Sequence, residues 1–374
     1  MKIVINRKSL SKCLDVVSRA LPQKPIIPIY TNFLLDIVGD KCYVYASNGK
    51  LQIKGLFTVD SKEDIKICVP GTTLLNTVRL LLEDEINFNY DPEKFILNIS
   101  AKKKKFKITG VNPKHFGIQT IPEDNTTFKL LASKIIPQIA MISKIIKWDD
   151  LRIQLAGVTI VTKDDDVHIS GTHESFFFCR AMLGVKSDKE FGIVLPKDIS
   201  IALGSMQGVG DIQMSITDRA IFCTLEGFEM YSVLIDVKKT VSLDQFFTHE
   251  RDSYIVVDKN DISMTIKRLM NYSLDSSVVR MELSGEEFKM SCENDDFGRG
   301  AEEVLDIKNN NAKNCVVGIS MKYLSTIVNS IASDSIKIFL IKHNKPAFFQ
   351  RYDETGDSEA WGCAPMILAE NVTI

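Results

Sequence analysis

Leu10, Cys13, Leu14, Val17 and Leu21 recur at three- and four-residue spacing, with Lys8, Lys12, Asp15 and Arg19 between them, so an amphipathic helix is expected after Asn6. Three prolines in the stretch Leu21–Pro28 forbid further helix, and Ile29–Val38 then reads as a β-rich run. The same order returns from Phe128, where Ile135, Ile136, Ile139, Ile142 and Ile146 line one side of a helix and a strand is expected from near Leu151. It returns again from Tyr254. Each copy has a second half, Ile65–Tyr90, Phe191–Ile216 and Cys315–Leu340, that reads strand, short amphipathic helix, turn, strand. Matching points lie about 125 residues apart, so the 374 residues are expected to form three tandem domains, 1–125, 126–250 and 251–374, with no room for a separate catalytic domain.

The periodicity places six helices at 7–20, 72–82, 133–147, 196–206, 259–270 and 320–331. They hold thirteen basic residues against the acids Asp15, Asp198 and Asp261, on a chain whose formal net charge is −2. Basic helices on an acidic body are what a polyanion-facing helix layer requires, although lysines are also common on any solvated helix face. Trp148 and Tyr323 are the aromatics beside these charges, too few for stacking single strands. With no phosphate-binding glycine loop either, contact with phosphates would be by point charges, independent of sequence and sensitive to salt.

Hydrophobic residues make up 45% of the chain, enough for real cores, and no apolar run approaches the length of a membrane helix. Nothing near Met1 reads as a signal peptide, so a soluble, cytoplasmic protein is expected, without a membrane partner. Eight scattered cysteines lack the CxxC spacing of zinc or redox sites and read as reduced, mostly buried thiols. His168 and His173 have no carboxylate or cysteine cluster around them, so no metal or other cofactor is expected. Thr172, His173, Glu174 and Ser175 hold the ingredients of acyl transfer, but neighbours on an extended segment point to opposite faces and cannot form a relay. No GxSxG elbow accompanies them, and the chain does not read as an enzyme.

The opening MKIVINRKSLSKCLDVVSRAL with IPIYTNFLLDI, the LAGV of Leu155–Val158, the GAEEVLDI of Gly300–Ile307 and the APMIL before the C-terminus resemble the beta sliding clamp of bacterial DNA polymerase III, in register over the whole chain. That resemblance implies an α+β DNA clamp fold of three tandem repeats, each with two inner helices and outer antiparallel β-sheets, closed as a six-domain ring by a head-to-tail homodimer. It implies a processivity factor near the nucleoid that encircles double-stranded DNA and tethers a DNA polymerase catalytic subunit. A clamp loader and other proteins carrying clamp-binding motifs are the further partners implied. The alternative is a clamp-fold scaffold that binds partner peptides without encircling DNA.

Carried over by position, the resemblance puts Lys24, Arg79, Lys147 and Lys197 near the duplex. Leu155, Thr172, Phe177, Pro365, Met366 and Leu368 would line an apolar client cleft. The dimer contact would set Lys103, Lys105, Phe106 and Ile108 against Met270, Glu302 and Glu303, the lysine-rich Ala101–Ile108 facing the acidic Glu293–Ile307. A solvated hairpin tip or a DNA-contacting loop are the other readings of the four lysines. Departures from the family pattern gather at the cleft. The family's TDGHRL-like segment is Thr172, His173, Glu174, Ser175, Phe176 and Phe177 here, the turn after its LI(D/E)G is replaced by Asp236–Phe247, and Ala369–Ile374 extend past the usual end. In the first repeat, the family's TDLE-like segment has become Ser47–Leu51. A divergent member is implied, whose tail, ending in the apolar Val372 and Ile374, is expected to lie across the cleft.

Overall fold

The structure, a computed structural model, describes residues 2–61, 63–146, 152–164, 166–173, 177–186, 190–206, 209–236, 240, 253–273, 278–294, 298–352 and 359–368. The first third of the chain runs β1 (Lys2–Asn6), α1 (Arg7–Val17), β2 (Asn32–Val38), β3 (Lys41–Ser47), β4 (Leu51–Thr58), β5 (Ile65–Pro70), α2 (Gly71–Leu80), β6 (Glu85–Asp91), β7 (Ile96–Ala101) and β8 (Lys104–Thr109). The second runs β9 (Thr126–Leu131), α3 (Ala132–Ser143), β10 (Gly157–Lys163), β11 (Asp166–His173), β12 (Phe177–Lys186), β13 (Gly192–Pro196), α4 (Lys197–Gly204), β14 (Asp211–Ile216), β15 (Ala220–Leu225) and β16 (Phe228–Val233). The last runs β17 (Ile255–Asp258), α5 (Lys259–Met270), β18 (Val278–Ser284), β19 (Glu287–Asn294), β20 (Arg299–Leu305), β21 (Ile307–Asn310), β22 (Cys315–Ser320), α6 (Met321–Ser330), β23 (Ser335–Phe339), β24 (Ala347–Arg351) and β25 (Glu359–Cys363).

Each third therefore repeats strand, helix, strands, strand, helix, strand. The local reasons are in the sequence. Asn6 Oδ1 accepts from the Ser9 amide at 3.0 Å and Asp258 accepts from the amides of Asn260 and Asp261, capping α1 and α5. Leu10, Cys13, Leu14 and Val17 of α1 are buried, as are Ile262, Thr265, Ile266 and Leu269 of α5. At Gly55 of β4 a side chain would collide with Cys13 Sγ, so α1 lies directly on the sheet backbone there.

Two strand starts differ from expectation. Pro28 sits at the first position of a 3-10 turn, Pro28–Thr31, so the strand expected from Ile29 begins at Asn32. The strand expected near Leu151, which lies outside the described residues, begins at Gly157 after the 3-10 turn Ile153–Leu155. The helix expected to reach residue 147 closes at Ser143.

By backbone contacts the chain divides into two compact units, Met1–Ala140 with Leu195–Asp236, and Met141–Val194 with Val237–Ile374. The first holds a four-stranded sheet, β1-β6-β7-β8, and an eight-stranded sheet, β5-β2-β3-β4-β16-β15-β14-β9. In the second lie a nine-stranded sheet, β13-β10-β11-β12-β25-β24-β23-β17-β21, and a four-stranded sheet, β20-β19-β18-β22. The strand pairs are antiparallel, and strands from different thirds join edge to edge: β4 with β16 in one unit, β12 with β25 in the other. No helix of the described residues is long and apolar enough to cross a membrane.

Candidate functional site

In the first unit α1 presents a row of cations. Arg7, Lys8 and Lys12 line a depression of about 390 Å³ with Ser11, Asp15, Val16, Ser205, Met206, Glu226 and Phe228. Part of that charge is neutralised within the chain. Lys8 lies 3.4 Å from Asp84, and the Arg79 guanidinium binds Asp15 at 2.6 Å, so Arg79, expected near a duplex, is held by an acid of the neighbouring helix. Lys24 and Lys197 are exposed, as are Lys12 and Arg19. Lys12 and Arg19 carry no ion pair among the described residues and are better placed for a polyanion than Arg79. Lys147 lies outside the described residues.

Both four-stranded sheets end in an open strand. β8 is the edge of one, reached through a tight turn at Lys102 (φ 49) and Lys103. Lys104 at its start binds Glu83 at 3.0 Å, holding that carboxyl below its ordinary range, and Leu82, the residue before Glu83, is 85% exposed. Lys103 and Lys105 make no ion pair among the described residues, and Phe106 is 38% exposed. Ile108, expected to reach a partner, is instead buried, because it pairs with Leu97 on the core face of the sheet.

β20 is the open edge in the second unit. Glu303, also expected to meet a partner, is already bound by Arg268 of α5 at 2.6 Å through both Nε and Nη2 and accepts from Thr265 Oγ1 at 2.8 Å. Those bonds, the guanidinium's first, hold its carboxyl below the ordinary range. Glu302 stays exposed with Lys289 3.7 Å away, and Met270 and Val304 add apolar surface. Each edge is tied by an ion pair to a neighbouring segment, β8 to Glu83 past the end of α2 and β20 to Arg268 in the last turn of α5, with exposed apolar side chains and opposite charge: lysines on β8, an acid on β20.

The groove expected from the resemblance falls wholly within the second unit. The turn carrying the half-buried Leu155 packs on β10 and β11, and β11 ends with the buried Thr172 and the half-buried His173. β11 pairs with β12, and β12 with β25, placing Phe177 opposite Cys363; the Phe177 side chain lies outside the described residues. Past Cys363, the Met366 amide donates to Gly318 O at 2.8 Å, an isolated bridge at the edge of β22. Residues 364–368 therefore form a strap from the nine-stranded sheet to the four-stranded one. A Cβ at Gly318 would stand 2.7 Å from the Met366 carbonyl oxygen and 2.9 Å from Leu368 Cδ2, so the strap requires glycine beneath it. Pro365 and Leu368 are half-buried and Met366 is exposed. The tail 369–374, and with it the expectation that it crosses the groove, lies outside the described residues.

Sequence reasoning missed two residues tied to the expected groove segments, Gly318 beneath the strap and Tyr323 bonded to His173. Tyr323, the third residue of α6, shares a hydrogen bond of 3.0 Å with His173 Nδ1, the rings 5.4 Å apart and edge to face. Its partner is 150 positions away, and only its isolation among helix polar residues marked it. Of Thr172–Ser175, which the sequence reads as unable to form a relay, Thr172 is buried and His173 engages Tyr323, while Glu174 and Ser175 lie outside the described residues. Among the described residues no cluster of three metal-ligating side chains occurs. All eight cysteines are free and seven are buried; burial pushes the Cys13 thiol up to about 12, which makes it inert.

Residues 1–121 match the family DNA polymerase III beta subunit, N-terminal domain, and residues 244–359 match its C-terminal domain, together more than half of the chain. The beta sliding clamp of Pseudomonas aeruginosa is 20% identical, covering 98% of this chain and all of the relative, and that of Rickettsia felis is 21% identical over 94% of this chain and 96% of the relative. A crystal structure of the Pseudomonas aeruginosa sliding clamp bound to griselimycin superposes with a TM-score of 0.89 at 21% identity, covering 98% of this chain and all of that one. At such identity the structural likeness establishes the fold. The domain matches carry the affiliation: this chain belongs to the DNA polymerase III beta subunit family.

Proposed function

We propose that the chain works as a sliding clamp, a processivity factor without catalytic chemistry of its own. Two copies would join head to tail into a ring of six repeats, three from each chain, around duplex DNA. The observation that carries this is the pair of open edges: β8 with Lys103, Lys105, Phe106 and Leu82, and β20 with Glu302, Val304 and Met270. An exposed edge strand invites pairing, and each edge here offers what the other lacks in charge. Pairing β8 of one copy with β20 of the next leaves neither edge open.

Retention would then be topological. Lys12, Arg19, Lys24 and Lys197 would meet phosphates as point charges, and with no base contact the ring could slide. A loader would open one interface. A polymerase and other clients would dock short apolar segments in the groove of Leu155, Thr172, Tyr323, Pro365, Met366 and Leu368.

The test is retention on DNA of different topology. Loaded onto nicked circular plasmid, the protein should remain bound through gel filtration at salt that abolishes simple electrostatic binding, and cutting the circle should release it. Equal loss from circular and linear DNA would sink the encircling reading and leave a non-encircling scaffold. Griselimycin, which the Pseudomonas aeruginosa clamp binds, is the probe for the groove.

A further inference from the structure

We propose that His173 is a positioning residue of the client groove, fixing the Tyr323 ring as a standing wall. This rests on the groove reading above. His173 is the last residue of β11, next to the buried Thr172, and Tyr323 lies in the first turn of α6, three residues after the end of β22, whose Gly318 carries the strap. The 3.0 Å hydrogen bond between Tyr323 Oη and His173 Nδ1, with edge-to-face ring contact, joins the end of β11 to the start of α6. Both side chains are half-buried, so neither is locked by core packing alone.

A half-buried tyrosine has rotamer freedom that a ligand must remove when the ring becomes part of its binding surface. A hydrogen bond made before binding removes it in advance, and the ordering of one such side chain corresponds to about two- to tenfold in affinity. His173 also stands where the family pattern carries an acid, second in its TDGHRL-like segment. The chain has thus exchanged a carboxylate at the groove for an imidazole that shares a proton with a phenol. What this groove keeps is a fixed aromatic wall suited to an apolar peptide.

The experiment is griselimycin titration by calorimetry on the full-length protein and four variants. His173→Leu and Tyr323→Phe should each weaken binding about three- to tenfold, and the double variant should lose no more than one of them, because both delete the same bond. His173→Asn, whose side-chain oxygen reaches near the position of Nδ1, should stay within about twofold of the parent. Additive losses, parental affinity in His173→Leu, or His173→Asn as weak as His173→Leu would overturn the role. A second measurement is independent of the ligand: with five histidines in the chain, the His173 Nδ1 resonance is separable and should shift on Tyr323→Phe. No shift would remove the bond itself. A parent protein that shows the shift yet fails to bind griselimycin would overturn the groove reading, and with it the role of His173.

Discussion

At Gly318 one methyl group decides whether the chain end can lie on β22. Its φ is not in the left-handed region, so glycine is required for space alone, against the Met366 carbonyl and Leu368. Gly318→Val should therefore lift the strap, destabilise the protein by about 1–3 kcal/mol as an overpacked site does, and abolish griselimycin binding. Thermal unfolding and titration check this together; a parental melting temperature with full affinity would show that the strap does not form the wall. Glu303 makes a different prediction. Its folded carboxyl is held below its ordinary value of 4.5 by Arg268, so the bond contributes stability above that pH and loses it as pH falls through the depressed value. Melting curves between pH 6 and pH 3, compared with Glu303→Gln, should converge at the acid end; parallel curves would refute the link. These partners were not legible in the sequence. Arg268 is 35 positions from Glu303 and Asp15 is 64 from Arg79, and any of several charges could have served. Position within a family suggested Glu303 for a partner and Arg79 for the duplex, and each is instead engaged by a charge of its own chain, Arg268 and Asp15.

Elements were far more legible, because periodicity is a local property. All six expected helices form, each within a few residues of its expected bounds, since the 3.6-residue apolar spacing and the capping Asn6 and Asp258 are written in neighbouring positions. Misplaced strand starts share one cause: β-rich composition from Ile29 and from near Leu151 reads as strand where the backbone makes a 3-10 turn, Pro28–Thr31 and Ile153–Leu155, before the strand begins. What the sequence could not convey is which strands end a sheet. The lysines of 102–105 read as a hairpin tip, a DNA-contacting loop or an interface, and no local pattern marks β8 as the edge it forms. At this scale the expected effect of Lys103→Glu with Lys105→Glu is loss of the homodimer, read as a fall in mass by light scattering. Adding Glu302→Lys should restore it, because the reversed charges meet again across the same pair of strands; Glu302 is exposed, so the change costs its own fold little. A triple variant that stays monomeric would place β8 against some other surface.

For the whole molecule the proposed head-to-tail closure would make every substitution act twice. Opening a ring of two copies requires only one interface to part, but dissociation requires both, and the second is held at high effective concentration once the first has formed. Sedimentation equilibrium should therefore find a species of about 84 kDa, twice the 42.0 kDa of the chain, persisting far below the concentration at which a single such edge pairing would come apart. A steady 42.0 kDa would leave the fold intact and remove encirclement. Charge acts alongside closure: the net charge of −2 disfavours general adhesion to nucleic acid, while Lys12 and Arg19, without an ion pair among the described residues, and the exposed Lys24 and Lys197 leave a local attraction. Reversing these four together should lower the salt dependence of DNA association by about one unit of log–log slope for each phosphate that is no longer neutralised, measured on linear duplex where topology cannot help. On circular DNA the same variant, once closed, should still be retained, because a ring that has shut needs no ionic grip to stay on. Release from the circle together with a flattened slope would mean that charge, and not closure, holds the protein to DNA.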